Sequence, residues 1–498
     1  MKYNCIEITE SELESTDFQE GNIYRTTDTG KVFLDPIGEA NRILIGGDYL
    51  AYIDDQIEAL NMIPRFNVDI SVTDADGNDM TDIYVNIYNI RDDGSKVIHD
   101  SILYNGAPIS VVLPKDFKYY IAPDELPGYY AVSKSGIIKQ TTKLSFKYME
   151  YNIYGVTWDK TSTTVLARTG AASLFEEPVP YIDGATEYGS PFDNCLPWAG
   201  MTIIEDDNAG SLVAIPKFWF KWTTDDSSMT LQISNSEIEG FSVSPAHRDR
   251  GDGKGERDVV YIGRYHCSTN NYKSETGVSP KASTTRANFR TAIHALGDGI
   301  YQNDYSLFWT LRMLYLVEYA NWNAQAAIGY GCGNGRSTEV MGYTDEMPYC
   351  TGTMLSSRTT YGVGTQYRNI EGLWDNVLDW CDGIYFSGAD AYGIINPDNF
   401  SDTENGTLVC TRPTSSGYIK DWTFSTVEDF DWFMYPSTVG GSSTTYVADS
   451  CDYNASGVVL YVGGYYNQVQ SYGAFYLFGN NSASNTYGVI GSRLMFLP

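Results

Sequence analysis

The sequence predicts a β-rich chain of several domains that ends in a large α+β unit. Three observations lead there. At 498 residues the chain exceeds the ordinary span of one domain. Its composition, 42% hydrophobic with 40 Tyr and 47 Gly against 18 Pro, suits packed cores joined by short strands and turns. The clearest helical patterns are confined to residues 284–296 and 304–329, and in the second Leu307, Leu311, Leu314 and Val317 recur at helical spacing.

Residues 1–64 read as a small leading unit. Its centre, GNIYRTTDTGKVFLDP, has short alternating segments broken by Gly and Asp turns, as in small hairpins. Leu50, Ile53, Ile57 and Leu60 then fall at the 3-4-3 spacing of a coiled-coil seam, and Pro64 closes it. Such a seam is either an amphipathic helix packed on its own domain or a short trimerisation helix. Residues 65–149 alternate apolar and polar residues through several short strands, which predicts an all-β immunoglobulin-like or prealbumin-like sandwich. The acidic insert Asp74, Asp76 and Asp79 lacks the spacing and closing Glu of a calcium loop and reads as a turn.

Residues 150–498 form the third unit. Its Arg250-Gly251-Asp252 tripeptide sits in a charged, Gly-rich stretch and reads as an ordinary loop. No fixed-period repeat occurs, so solenoids and propellers are not expected.

Charge and cysteines narrow the function. With 33 basic and 63 acidic residues, the formal net charge is −30, which disfavours nucleic acid and anionic membranes as partners. No apolar run approaches the roughly 20 residues that span a bilayer. The N-terminus has no secretory h-region, so synthesis in a cytoplasm is expected. The 8 cysteines form no CxxC pair, which argues against zinc ribbons and thioredoxin-like chemistry and predicts buried free thiols. No cofactor and no metal are expected.

The tail is the most informative segment. From Tyr453 to Pro498 the only charged side chain is Arg493, and Tyr, Asn, Ser and Gly alternate with short apolar pieces. Tyrosine gives rigid amphipathic contact area, and Ser, Gly and Asn give adaptable hydrogen bonds, which is the composition of a binding surface. Catalysis commonly needs ionisable groups, and this stretch has almost none.

Three segments resemble the C-type lectin fold in its formylglycine-generating-enzyme branch. These are LRMLYLVEYANW (311–322), GLWDNVLDWCDGI (372–384), and the closing pieces Gly463-Gly464 and Gly491-Ser492-Arg493-Leu494. The resemblance implies an α+β C-type lectin-like C-terminal domain behind the sandwich and the attachment segment. The enzyme branch works through cysteines in its final segment, whereas no Cys lies between Gly464 and Arg493, so that activity is not implied.

The tail is similar to the variable proteins of diversity-generating retroelements. It shares with them Gly463-Gly464, Gly473-Ala474-Phe475, Ser482-Ala483-Ser484-Asn485 and Ile490-Gly491-Ser492-Arg493-Leu494. In that family adenine randomisation of Asn codons diversifies the positions between fixed pieces. The resemblance assigns ligand binding to Tyr465, Tyr466, Asn467, Val469, Ser471, Tyr472, Leu477, Gly479, Asn480, Thr486, Tyr487, Gly488 and Val489, within a variable tail spanning 461–498. Ala474, Phe475, Ile490, Leu494 and Phe496 are expected to fill the core beneath them.

The leading segment also resembles N-terminal pieces of bacteriophage tail and fibre proteins. The expectation is therefore a non-enzymatic tail adhesin, homotrimeric in the virion, held to other tail proteins by its N-terminal segment. It would grip a bacterial surface protein or glycan with its tip. Two alternatives stay open. One is a glycan-cleaving or formylglycine-generating-type enzyme, for which Asp375, Asp379 and Asp382 beside Trp374 and Trp380 form the candidate carboxylate cluster. The other is a bacterial cell-surface lectin.

Overall fold

The structure, a computed structural model, describes residues 4–17, 19, 22–27, 32–35, 43–44, 63–74, 77–91, 94–124, 126, 129–131, 133–150, 153–331, 338–355, 362–403, 406–467 and 472–498. The seam residues Leu50, Ile53, Ile57 and Leu60 lie outside them, as does Asp76. The chain is mostly β and divides into two compact units, Met1–Tyr148 and Met149–Pro498.

The first unit opens with a four-stranded sheet in the order Asn4–Ile8, Asn22–Thr26, Val32–Asp35, Ile43–Leu44. The hairpins expected here are only half of it. The first two strands run parallel because the short helix Glu10–Glu14 carries the chain back between them. That helix is started by a reciprocal cap: Thr9 Oγ1 accepts from the Glu12 amide at 3.3 Å, and the Thr9 amide donates to Glu12 Oε2 at 2.9 Å.

Two further four-stranded sheets come next along the chain. One has the order Tyr129–Ala131, Thr142–Glu150, Arg65–Thr73, Ile109–Pro114; the other Lys134–Ile137, Lys118–Pro123, Ile83–Ile90, Lys96–Tyr104. Alternation places Val68, Ile70 and Val72 from one and Val85, Ile87 and Ile121 from the other in a shared core, all 0% exposed. Their outward neighbours are polar or half-exposed, as a two-layer sandwich requires.

In the second unit, helix Tyr305–Tyr319 lies at the centre. Asp304 caps it, its Oδ1 accepting from the Leu307 amide at 2.8 Å, and Ala320 ends it in the left-handed conformation at φ 47°. The expected helical run to residue 329 therefore breaks, and Ala324–Ala327 forms a separate turn of helix. Every residue of Tyr305–Tyr319 is buried. A helix apolar on all sides fits only where protein surrounds it. The second expected helix spans Arg286–His294, its Thr285 cap accepting from the Asn288 amide at 3.2 Å.

Two sheets position the tail. A nine-stranded sheet contains Leu378–Ser387, Val459–Val462, Leu477–Asn481 and Ser450–Tyr453 as successive neighbours, and Ile490–Ser492 pairs parallel to Leu378–Ser387. The last strand, Leu494–Phe496, leaves for a five-stranded sheet, between Val259–Gly263 and Ile300–Gln302. Arg493 is the residue at the crossing. Its guanidinium, 0% exposed, donates to the carbonyls of Gly263 at 2.8 Å, Arg264 at 2.9 Å and Glu371 at 2.7 Å, and faces Asp379 Oδ2 at 3.4 Å. The tail's lone charge is thus spent inside the fold.

Candidate ligand-binding surface

Between strands Val459–Val462 and Leu477–Asn481 the chain makes the Tyr-rich connection, and its two ends are fixed by backbone contacts. At the first end, a Cβ on Gly464 would collide with the carbonyl oxygens of Trp374 and Tyr472, so only glycine fits. The Tyr466 amide then donates to the Asn376 carbonyl at 3.2 Å.

At the second end, Asp449 receives the Gly473 amide on Oδ1 at 2.6 Å and the Phe475 amide on Oδ2 at 2.8 Å. Arg312, reaching up from the central helix, donates through Nε to the intervening Ala474 carbonyl at 2.8 Å. Two peptide units, Tyr472–Gly473 and Ala474–Phe475, are therefore held by side chains from outside the tail. A Cβ on Gly473 would stand 2.7 Å from the Asp449 carboxylate. Burial pushes the Asp449 carboxyl up to about 6, against the pull of the two amides and Arg312, and burial lowers Arg312 to about 10. Phe475 anchors the segment below, its ring 4.9 Å from Trp322 and 5.8 Å from Tyr315.

Between these anchors the tyrosines are neither free nor interior. Tyr465, Tyr466 and Tyr472 are half-buried and Asn467 is exposed; farther along the tail, Tyr487 is 57% exposed. Tyr465 meets Tyr466 at 5.7 Å and 87°, and Tyr472 at 6.2 Å and 89°; Tyr472 lies 4.1 Å from Tyr476. Thr486 and Gly488 are exposed, Asn480 and Val489 half-buried. Val469 and Ser471 lie outside the described residues.

Two assigned positions are corrected. Leu477 is 0% exposed, and Gly479 is buried, its carbonyl accepting from Arg412 Nη1 at 2.5 Å. Both sit on the inward-pointing phase of strand Leu477–Asn481, while Phe478 and Asn480 take the other phase. The period-2 alternation could have separated them. The core positions Ala474, Phe475, Ile490 and Leu494 are all at most 2% exposed, and Phe496 is partly buried against Tyr261.

Sequence reasoning missed Asp449, Arg312 and Asp452. Asp452 accepts the Tyr476 hydroxyl on Oδ2 at 2.7 Å, directly beside Tyr472. It lies on Ser450–Tyr453, outside the uncharged run, so no local pattern joins it to the tyrosines.

The carboxylates proposed for hydrolysis are each committed elsewhere. Asp375 accepts from the Tyr343 hydroxyl and from the amide and hydroxyl of Thr365, all at 2.7 Å; burial raises its carboxyl. Asp379 stands 2.9 Å from His266 Nδ1 and pairs with Arg493. Burial works against the Asp379 charge, but these two partners hold it below its ordinary value. Asp382 takes Arg290 on both oxygens, at 2.6 and 3.0 Å. All three are at most 4% exposed, so none faces another across open space. Arg250 is equally occupied, with Asp304 and with Ser306 at 2.9 Å, and Asp252 pairs with Arg257, so the tripeptide's charges point inward.

No protein-family model and no curated protein matches the chain. Among solved structures it is similar to the Major Tropism Determinant U1 variant, with 12% identity and a TM-score of 0.21 over 100% of this chain and 99% of that one. The P3c variant gives 11% and 0.16 over the same spans. BcpA, the major pilin subunit of Bacillus cereus, gives 14% and 0.16 over 36% of this chain and 56% of the pilin, little more than half its length. Likenesses this slight carry no weight for fold or function.

Proposed function

We propose that the chain is a bacteriophage tail adhesin whose tip, a C-type lectin-like domain, binds a protein or glycan receptor on the bacterial surface through residues of the 461–498 tail. The observation that carries this reading is the anchoring of the tyrosine-rich connection. Its ends are fixed through backbone groups by Gly464, Asp449 and Arg312, so the side chains between can change without disturbing their support. Such an arrangement suits a surface diversified by a retroelement. It also suits binding rather than turnover, since Asp375, Asp379 and Asp382 are all paired and buried.

In this reading the N-terminal segment joins other tail proteins, the sandwich spaces the tip from the virion, and the chain assembles as a homotrimer. Trimeric display would raise avidity by about 100-fold or more without new contacts. Light scattering should then give three times the chain mass; a monomer at micromolar concentration rules the trimer out.

The adhesin reading is tested with the tagged full chain on bacterial cells. It should stain the surface of the strain that supports the phage carrying its gene. Replacing Tyr465, Tyr466 and Tyr472 together with serine should abolish staining while leaving the melting transition in place. Undiminished staining by that variant would refute the reading. A near-copy of the tail's coding sequence beside a reverse-transcriptase gene, differing at adenines, would establish diversification separately.

A further inference from the structure

The tyrosine surface carries one feature that an uncharged grip does not need. Tyr465 meets both Tyr466 and Tyr472 nearly at right angles, so its neighbours stand as perpendicular walls beside it. Next to Tyr472, through Tyr476, comes the Asp452 carboxylate, half-buried, accepting the Tyr476 hydroxyl at 2.7 Å and paired with no cation among the described residues. Its field reaches three rings. Burial first, then the Asp452 charge, keeps Tyr476 and Tyr461 in their phenol form. At Tyr472 burial and Asp452 act against a hydrogen bond from Tyr476.

A half-buried carboxylate with one hydroxyl donor and no counter-charge regains only part of its lost solvation, and a ligand of opposite charge would supply the rest. Tyrosine faces are negative and attract a cation lying over them. Ring faces and carboxylate together favour a positive group and repel an anion. The surround of Tyr, Asn, Ser and Gly has the flat, hydrogen-bonding character that grips polypeptide on either side of such a group.

We propose that the tail surface recognises a lysine or arginine side chain projecting from the receptor protein, seated between Tyr465 and Tyr472 and paired with Asp452. The inference rests on the adhesin reading and names the chemistry of its partner.

Saturation-transfer NMR on the full chain tests it with four probes: N-acetyl-lysine methylamide, N-acetyl-arginine methylamide, the uncharged N-acetyl-norleucine methylamide, and glucosamine. The two cationic amino-acid probes should bind, and norleucine should not. Asp452→Asn keeps an oxygen for the Tyr476 hydroxyl, so the fold survives, and it should weaken the cationic probes by about tenfold. Tyr472→Ala should do the same. Glu205→Gln, which removes an exposed carboxylate elsewhere on the unit, should change nothing and so separates a site from general attraction to an acidic chain.

Equal binding of norleucine, or binding unchanged in Asp452→Asn, would overturn the proposal. Glucosamine bound more tightly than either amino acid would overturn the choice of a protein side chain. The cell-staining experiment fails or succeeds independently. Silent probes with stained cells sink only the cation; bound probes with unstained cells sink only the adhesin.

Discussion

Arg493 shows how far one residue can be read from sequence. Its isolation as the tail's only charge was visible, but its partners were not, because Gly263, Arg264, Glu371 and Asp379 lie more than a hundred residues upstream. Arg493→Lys keeps the charge but cannot reach several carbonyls and a carboxylate at once. It should cost about 2–4 kcal/mol in urea denaturation, whereas Tyr487→Ser, on a side chain 57% exposed, should cost under about 0.5 kcal/mol. Asp449 gives a pH signature. Its carboxyl is raised to about 6 from 3.8, so the folded state holds a proton that the unfolded state has released across that window. Its contribution to stability is full below about pH 3.8 and is lost as pH rises through 6, a change of about 3 kcal/mol. Asp449→Asn should remove that slope. It should also lower stability at pH 7, because its amide nitrogen would face a backbone N–H of Gly473 or Phe475. An unaltered pH profile in the variant would mean Asp449 is not the titrating group.

At the scale of elements, the helix and the tail show what periodicity reveals and hides. The spacing of Leu307, Leu311, Leu314 and Val317 marked a helix but not its surroundings, and the structure buries every side of Tyr305–Tyr319, including Arg312 and Glu318. The signal was present in the near-absence of polar residues around the whole circumference. The buried charges survive because each has a specific partner: Glu318 pairs with Arg368, and Arg312 holds the Ala474 carbonyl. In the tail, the codon palette alone swept up Leu477 and Gly479, because composition ignores which phase of a strand faces inward. The capping box Thr9-to-Glu12 was a local pattern and could have predicted the parallel first pair of strands; the Asp449 clamp joins distant segments and could not be read locally. That clamp makes the tail a test of scaffold against surface. Gly473→Ala and Gly464→Ala should each destabilise by about 2 kcal/mol or more, since the added carbon meets a carboxylate in one case and carbonyl oxygens in the other. Asn467→Ala, between the same anchors but exposed, should leave the melting temperature nearly unchanged. Comparable losses at all three positions would mean that the connection is not supported independently of its side chains.

At the scale of the molecule, a formal charge of −30 works against the target the tip is proposed to reach. Bacterial envelopes carry anionic polymers, and two negative surfaces repel over the Debye length, which is about 30 Å at 0.01 M salt and about 8 Å at 0.15 M. Long-range repulsion slows encounter, so attachment should speed up as salt rises through that range. The Asp452 contact behaves differently: it is short, half-buried and made after encounter, so salt screens it much less. The expected adsorption rate therefore climbs at low salt and then levels off without collapsing as salt approaches about 0.5 M. In Asp452→Asn the low-salt climb should persist, since one charge in a strongly acidic chain hardly alters the long-range field, while the plateau drops. Adsorption measured against sodium chloride for both proteins separates the two terms. A rate that falls steadily from the lowest salt upward would instead require a basic patch steering the chain to its target, and the uncharged tail could not then be the part that makes first contact.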